Sequence, residues 1–519
     1  MRRIILGFFS IIIIFGVIWG EDVEIKGKIL GITLKSQDEI DAICEGKEFL
    51  GFDTNILLDD CPLGYDENQN ILLIPQELEK ENFHGELEAE EGELFFLADD
   101  MWENKGNAIA ENHVFRLFRV ADEKYWMYNV YFTGMPVAKL TTEIVDENGE
   151  SNGTMWVYNQ YSQSNKYQEG RCRFRLRGAS SMAFPKSSYK VTFTEKDYSL
   201  LGMREDDDWI LNSLYDDEGL IHNKVSYELW QQIARSNSVS YDEGISMEYV
   251  EIFVDNEYKG VYGLLERVDK KALNLNEKDI LYKGVGTRDV GEDDFYLELK
   301  EGMNPMFELK YPAEFEANHW EPLREYINGL NHCQYTNFEE AVETINMENF
   351  IDYTLFNLFL AGEDNLQKNI YYWADYQADG SYKMIKVPWD LNMTWGNGWY
   401  EEHAYHFNLY QSKYIEEPCG WTDDMIYLYQ MNPLEIGNLM YTRWKELRQN
   451  IITTNNLFSI FEQQIAYVNS SGAYLRDSMF WGNREEYWNN QYIYDYAEGK
   501  IEMMDRYLEE LSQGKIHLD

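Results

Sequence analysis

The feature that most restricts the fold is a change of hydrophobic period partway along the chain. Before about residue 320, apolar residues recur at every second position, as in Trp126 to Phe132, Arg173 to Arg177, Tyr189 to Phe193, Tyr249 to Val254 and Tyr258 to Leu265. That is the period of half-buried strands. The turn signals Gly134-Met135-Pro136 and Asp255-Asn256 separate several of them, and only Leu220 to Ala234 carries helical spacing. Beyond Trp320 the period becomes helical, in Phe338 to Ile345, Phe350 to Leu360 and again from about Leu434 to Leu511. Two short strands, Ile370 to Trp373 and Tyr382 to Val387, interrupt it. A sheet-rich half followed by a helical half is the ordering of a two-lobed α+β protein, expected here over residues 123–515. Residues 21–122 alternate short strand-like runs (Ile25 to Leu34, Ile71 to Ile74, Glu93 to Leu97) with acidic turns. They read as a small β-rich accessory region, a spacer or binding module with no chemical motif.

Residues 1–20 read as an export signal or N-terminal anchor. Met1-Arg2-Arg3 precedes an apolar run from Ile4 to Trp19, and the chain turns acidic at Glu21-Asp22. The run is shorter than the ~20 residues of an ordinary span, so membrane association is expected only through an uncleaved anchor, and the protein is expected outside the cytoplasmic membrane. The 44% apolar content is ample for a large core. A formal charge of −47 argues against nucleic acid as a partner and makes bare phosphate unwelcome, so any nucleotide site must bring its own cations. The five cysteines show no metal-binding spacing; a Cys44–Cys61 bridge and a set of unpaired thiols are both compatible with their positions.

The chemistry concentrates in Gly362-Glu363-Asp364-Asn365-Leu366-Gln367-Lys368-Asn369 and, after a hairpin, Val387-Pro388-Trp389-Asp390. Phosphoryl transfer needs a group that positions a hydroxyl, oxygen ligands for a divalent cation, and positive charge for phosphate. An Asp followed five residues later by Asn, with a second Asp beyond a hairpin, is how kinase catalytic loops meet the first two needs. Asp364, Asn369 and Asp390 have that arrangement. The spacing alone is weak, since Asp364 could equally terminate a helix in an Asx turn. Asp390, however, closes an apolar strand, where a carboxylate is costly without compensation. The basic counterpart is Arg173, Arg175 and Arg177 on one strand face, then Lys186 and Lys190 beyond the turn Gly178-Ala179-Ser180-Ser181. A solvated face paired with neighbouring acids is the plain alternative.

These segments, taken in order with Trp209 to Asn212, Asn223-Lys224, Gly260 to Glu266 and Trp395-Gly396, resemble the CotH family of spore-coat kinases. The resemblance covers roughly Tyr125 to Leu511. It implies an atypical protein-kinase-like fold that transfers phosphate from ATP, with Mg²⁺ or Mn²⁺, to protein Ser or Thr at the cell surface or spore coat. Carried over, Asp364 is the catalytic aspartate, and Asp390 and Asn369 are metal ligands. A Lys of the 186–190 segment, with Arg177, would hold phosphate, and Glu266 would orient that Lys or contact metal. Glu266 has a second reading, as an edge-strand surface residue. Two positions depart from the family pattern: Asn392 stands where a further Asp is usual, and His222 where Arg is frequent. Gly284-Val285-Gly286, after Tyr282-Lys283, is too short for a phosphate loop. The competing reading is a catalytically weak or inactive surface scaffold that uses exposed Trp and Tyr. Acidic pairs such as Asp216-Asp217 or Glu401-Glu402 set no separation suited to glycoside hydrolysis. Ser180 and Ser181 lack the nucleophile-elbow context of a hydrolase.

Overall fold

A computed structural model of the chain describes residues 28–518 apart from 52, 54, 103, 179, 218, 238–243, 287–305, 332–336, 400–406, 409–417 and 483–489. The expected export signal and the Glu401-Glu402 pair lie outside the described residues. Helices and sheets are mixed in the α+β manner expected, and the strand-rich part precedes the helical part.

The N-terminal residues form an eight-stranded sheet. Its centre is the antiparallel hairpin of Val114–Val120 and Lys124–Thr133, in register from Val114 opposite Tyr131 to Val120 opposite Tyr125. Because Lys124–Thr133 also pairs in parallel with Ile71–Pro75, the sheet runs past residue 122 and ends at Thr133. The strand expected over Ile25 to Leu34 is two short strands, Lys28–Ile29 and Ile32–Lys35, folded back through Leu30 and Gly31, which both take left-handed backbone. Residues 25–27 lie outside the described residues.

A closed barrel follows, built from Val137–Val145, Ser151–Tyr158, Tyr167–Arg177, Ser188–Phe193, Asp208–Asn212, Glu257–Glu266 and Met247–Val254. It closes where Met247–Val254 pairs in parallel with Val137–Val145. Strand alternation decides its two faces. Cys172 and Phe174 join Val191, Trp209, Leu211 and Leu264 in the barrel core, while Arg171, Arg173 and Arg175 point outward. Asp208 and Glu150 meet the outward cations: Arg173 Nη1 lies 3.3 Å from Glu150 and Lys190 Nζ lies 3.1 Å from Asp208.

The helix His222–Ser236 starts where the Asp217 carboxylate accepts the His222 and Asn223 backbone N–H groups at 2.8 and 3.4 Å, slightly later than the apolar spacing begins. It packs into the largest core cluster with Met347–Leu360, Pro433–Asn450, Thr454–Ser470 and Gln491–Ser512. A four-stranded sheet ordered Phe307–Tyr311, Ile280–Gly284, Ile370–Tyr376, Tyr382–Pro388 includes both strands expected inside the helical part. Cys44, Cys61, Cys172 and Cys419 are in no disulfide, so no Cys44–Cys61 bridge forms. Among the described residues no helix is long and apolar enough to cross a membrane.

Candidate active site

The helix Met347–Leu360 ends on Ala361, whose left-handed backbone (φ 53°) stops it and turns the chain into the short helical turn Glu363–Asn365. Asn365 then ties the next two segments together. Its buried Nδ2 donates to the Asn369 carbonyl at 3.0 Å and to the Trp389 carbonyl at 2.7 Å, and its own carbonyl accepts from the Tyr353 hydroxyl at 2.7 Å. The Trp389 N–H donates to the Asn369 carbonyl at 3.1 Å. Asn369 and Asp390 both take left-handed backbone (φ 56° and 57°), which Asn and Asp adopt more readily than other side-chain-bearing residues. Gly284 allows a further close approach: a Cβ there would lie 2.4 Å from the Gln367 carbonyl, so any side chain would displace the 364–369 segment.

The helix His222–Ser236 holds the other flank. The Asp390 N–H donates to the Tyr227 hydroxyl at 3.1 Å, and the Leu391 N–H donates to Asn223 Oδ1 at 2.9 Å. Trp395 Nε1 donates to Ser226 Oγ at 2.8 Å. His222 is buried; its Nδ1 lies 2.6 Å from Asp217 and its ring is stacked on Tyr492.

These contacts surround a cleft of about 330 Å³ lined by Arg177, Ser188, Asp216, Lys283, Asp364, Lys368, Asn369, Trp389, Asp390 and Asn392, among others. Arg177, Asp364, Asn369 and Asp390 of the expected set therefore come together. Within it, Asp364 is spanned by its neighbours: Asn369 Nδ2 donates to one oxygen at 2.7 Å, and Lys368 Nζ lies 2.7 Å from the other. Burial raises the Asp364 carboxyl above the usual carboxylate range, with Asp390 adding to it and Lys368 and Asn369 opposing. Asp216 is pushed up to about 7, first by burial and then by the like charge of Asp390.

Three expected residues do not line this cleft. Lys186 is fully buried at the junction of barrel and helices, where its Nζ donates to the Val261 carbonyl at 2.7 Å and to Asp477 Oδ1 at 2.5 Å. Its charge is taken up by Asp477, whose carboxylate is equally buried. Lys190 is paired with Asp208, although it lies on the same face of its strand as Ser188, which does line the cleft. Glu266 accepts the backbone N–H groups of Arg204 and Ser246 at 3.0 and 2.8 Å, so its carboxylate secures a loop. Arg173 and Arg175 remain on the barrel exterior beside Glu150. The side chain of Ser180 lies outside the described residues.

Sequence reasoning missed Lys283, Lys368 and Asp216. Lys283 had a readable signal, a single cation ending the apolar run Ile280-Leu281-Tyr282 just before Gly284. Burial, joined by the like charges of Arg177 and Lys310 and opposed by Asp390 and Glu308, brings its ammonium down to about 8. Among the described residues neither Lys283 nor Arg177 forms an ion pair, and their polar heads instead approach the Trp389 ring, at 6.0 and 5.8 Å. Asp216 and Asp390 likewise have no cationic partner there. The cleft thus holds two cations and two carboxylates around one space, none of them in an ion pair among the described residues. A ligand that is anionic toward Arg177 and Lys283 and delivers a cation to the acids would satisfy both. Among the described residues no three His, Cys, Asp or Glu side chains are grouped closely enough to hold a metal ion by themselves.

A family model described as CotH kinase protein matches residues 174–510, which takes in all the cleft residues named above. No curated protein matches the chain.

Proposed function

The chain belongs to the CotH kinase family, and from that premise we propose that it transfers a phosphoryl group from ATP to Ser or Thr hydroxyls of proteins, outside the cytoplasmic membrane. The single observation that carries this reading is the cleft in which Arg177 and Lys283 face Asp216 and Asp390, with none of the four in an ion pair among the described residues. Isolated charges of either sign are expensive to keep partly buried, and a metal-bound triphosphate neutralises both kinds at once. The donor set also suits Mg²⁺ or Mn²⁺, because Mg²⁺ is ordinarily held by one or two carboxylates, with phosphate oxygens and water completing its shell. Asp390 and the Asn369 side-chain oxygen would hold it. When bound, the ion supplies positive charge against the phosphate oxygens of the substrate.

The protein's own groups divide the remaining work. Asp364 accepts the proton of the acceptor hydroxyl as its oxygen bonds to the γ-phosphorus and the bond to the β-phosphate oxygen breaks, releasing ADP. Lys368 and Asn369 fix the Asp364 carboxylate from both sides and favour its ionised form. Arg177 and Lys283 draw the phosphate oxygens, and Trp389 backs both cations. The export signal read in residues 1–20 directs this activity to surface or spore-coat proteins.

The test is incorporation of label from γ-labelled ATP into an acceptor protein by the full chain. Transfer to Ser or Thr should require Mg²⁺ or Mn²⁺, stop on chelation and resume when the ion is returned. Neither ATP binding nor transfer with either ion would leave the scaffold reading in its place.

Lys283 gives the site a pH signature. Its folded pKa lies below that of a free lysine, at about 8, so the side chain loses its proton as pH rises through that value. Bound phosphate favours the charged form and moves the transition upward. ATP affinity should therefore fall between pH 7 and pH 9.5 by roughly tenfold, the scale of one charge-assisted hydrogen bond. Titration calorimetry of Lys283→Arg, which stays charged, should show the fall removed; an unchanged profile would take Lys283 out of phosphate binding.

A further inference from the structure

Asp216 lies on the connection between the barrel strand Asp208–Asn212 and the helix His222–Ser236, far in sequence from Asp364 and Asp390, yet it lines their cleft. The connection is fixed at several points. The Ser213 N–H donates to Ser188 Oγ at 3.0 Å, Asp217 caps the helix, and Asn397 Nδ2 donates to the Asp216 carbonyl at 3.3 Å. Asn392 Nδ2 donates to Asp216 Oδ2 at 2.7 Å, so position 392 contributes an amide donor and position 216 the carboxylate. One Asp216 oxygen is occupied by that amide. No cation pairs with either Asp216 or Asp390 among the described residues, whereas Asp364 is paired with Lys368.

We propose that Asp216 and Asp390 share one divalent cation, with the Asp216 carboxylate, held on its loop by Asn392, as the second protein ligand. The proposal rests on the kinase reading of the cleft and adds a ligand that none of the sequence motifs contained. Two carboxylates from separate segments clamp the ion, and Asn392 orients the first of them, as outer partners of metal ligands do. Asp364, already bound by Lys368 and Asn369, is left to the acceptor hydroxyl.

Mn²⁺ alone, titrated into the full chain without nucleotide and followed by the electron paramagnetic resonance of the free ion, tests this apart from turnover. Asp216→Asn keeps the shape and the Asn392 contact, and should weaken Mn²⁺ binding roughly 10- to 100-fold, as should Asp390→Asn. The double variant Asp216→Asn with Asn392→Asp returns a carboxylate to the same spot and should bind within about threefold of the parent. Parent-like binding by Asp216→Asn alongside loss in Asp390→Asn overturns the role of Asp216 and leaves the kinase reading standing. Loss that the double variant does not recover also overturns it. Parent-like binding by both single variants overturns the shared cation and the metal-dependent reading together.

Discussion

Asp390→Ala is expected to bring phosphoryl transfer to background and to abolish metal-dependent ATP binding. Asp390 is held in left-handed backbone at the end of Tyr382–Pro388, with its N–H on Tyr227 and its neighbour's N–H on Asn223, so its carboxylate reaches the cleft from a rigid base. Truncation removes the charge and leaves that base intact, and a melting temperature close to the parent's should accompany the loss. Asp364→Asn should separate the two functions. Its amide keeps the shape, with its oxygen retaining one of the two contacts to Lys368 and Asn369, but takes no proton, so turnover should fall about 10²- to 10⁴-fold, the range of general-base contributions, with ATP binding retained. Stopped-time transfer assays and ATP titrations on both variants measure this. Equal transfer by Asp390→Ala and the parent would exclude the proposed chemistry.

Arg476→Ala is expected to destabilise the fold by about 3 to 5 kcal/mol, because it strands a carboxylate that water cannot reach. Glu251 is fully buried and Arg476 is 1% exposed. Arg476 Nε and Nη2 donate to the two Glu251 oxygens at 2.9 and 2.8 Å, and Nη1 donates to Asn112 Oδ1 at 2.6 Å and to the Phe132 carbonyl at 3.3 Å. The Thr133 and Tyr258 hydroxyls donate to Glu251 as well. This network joins the helix Ala473–Trp481, the barrel and the last strand of the N-terminal sheet, so its loss reaches all three. Denaturant titration should show the midpoint move down, and Glu251→Gln with Arg476→Ala should recover part of the loss, since the stranded charge is then absent. A change under about 1 kcal/mol would mean that the site relaxes to admit water.

How much of this could be read in advance depended on the distance along the chain over which each contact forms. Asp364 and Asn369 are five residues apart and Asp390 follows a single hairpin, so residue order pointed to the three together, although that spacing alone was weak and distant contacts from Tyr227 and Asn223 complete the placement of Asp390. That Arg173, Arg175 and Arg177 share one face follows from the two-residue period of their strand, while only packing at its end brings Arg177 to the cleft. Lys186 and Lys283 were not separable in that way. Both end short apolar or aromatic stretches, and the choice between them is made by Asp477, 291 residues beyond Lys186, which takes that lysine into the interior. Glu266 was drawn off by the loop at Arg204, and Asp216 was brought in by a contact with Asn392 across 176 residues. The edge of the N-terminal sheet was likewise a matter of pairing: the acidic turn near residue 122 looks like a boundary, but hydrogen bonds across it make the flanking strands one hairpin.

The α+β order and the two faces of single strands were determined by the sequence alone, because hydrophobic period acts within a few residues, and spacing together with family resemblance pointed to Asp364, Asn369 and Asp390. Which cations and which further acid enter the cleft was decided only by the tertiary structure, because burial of a charge depends on partners that long-range packing alone brings within reach.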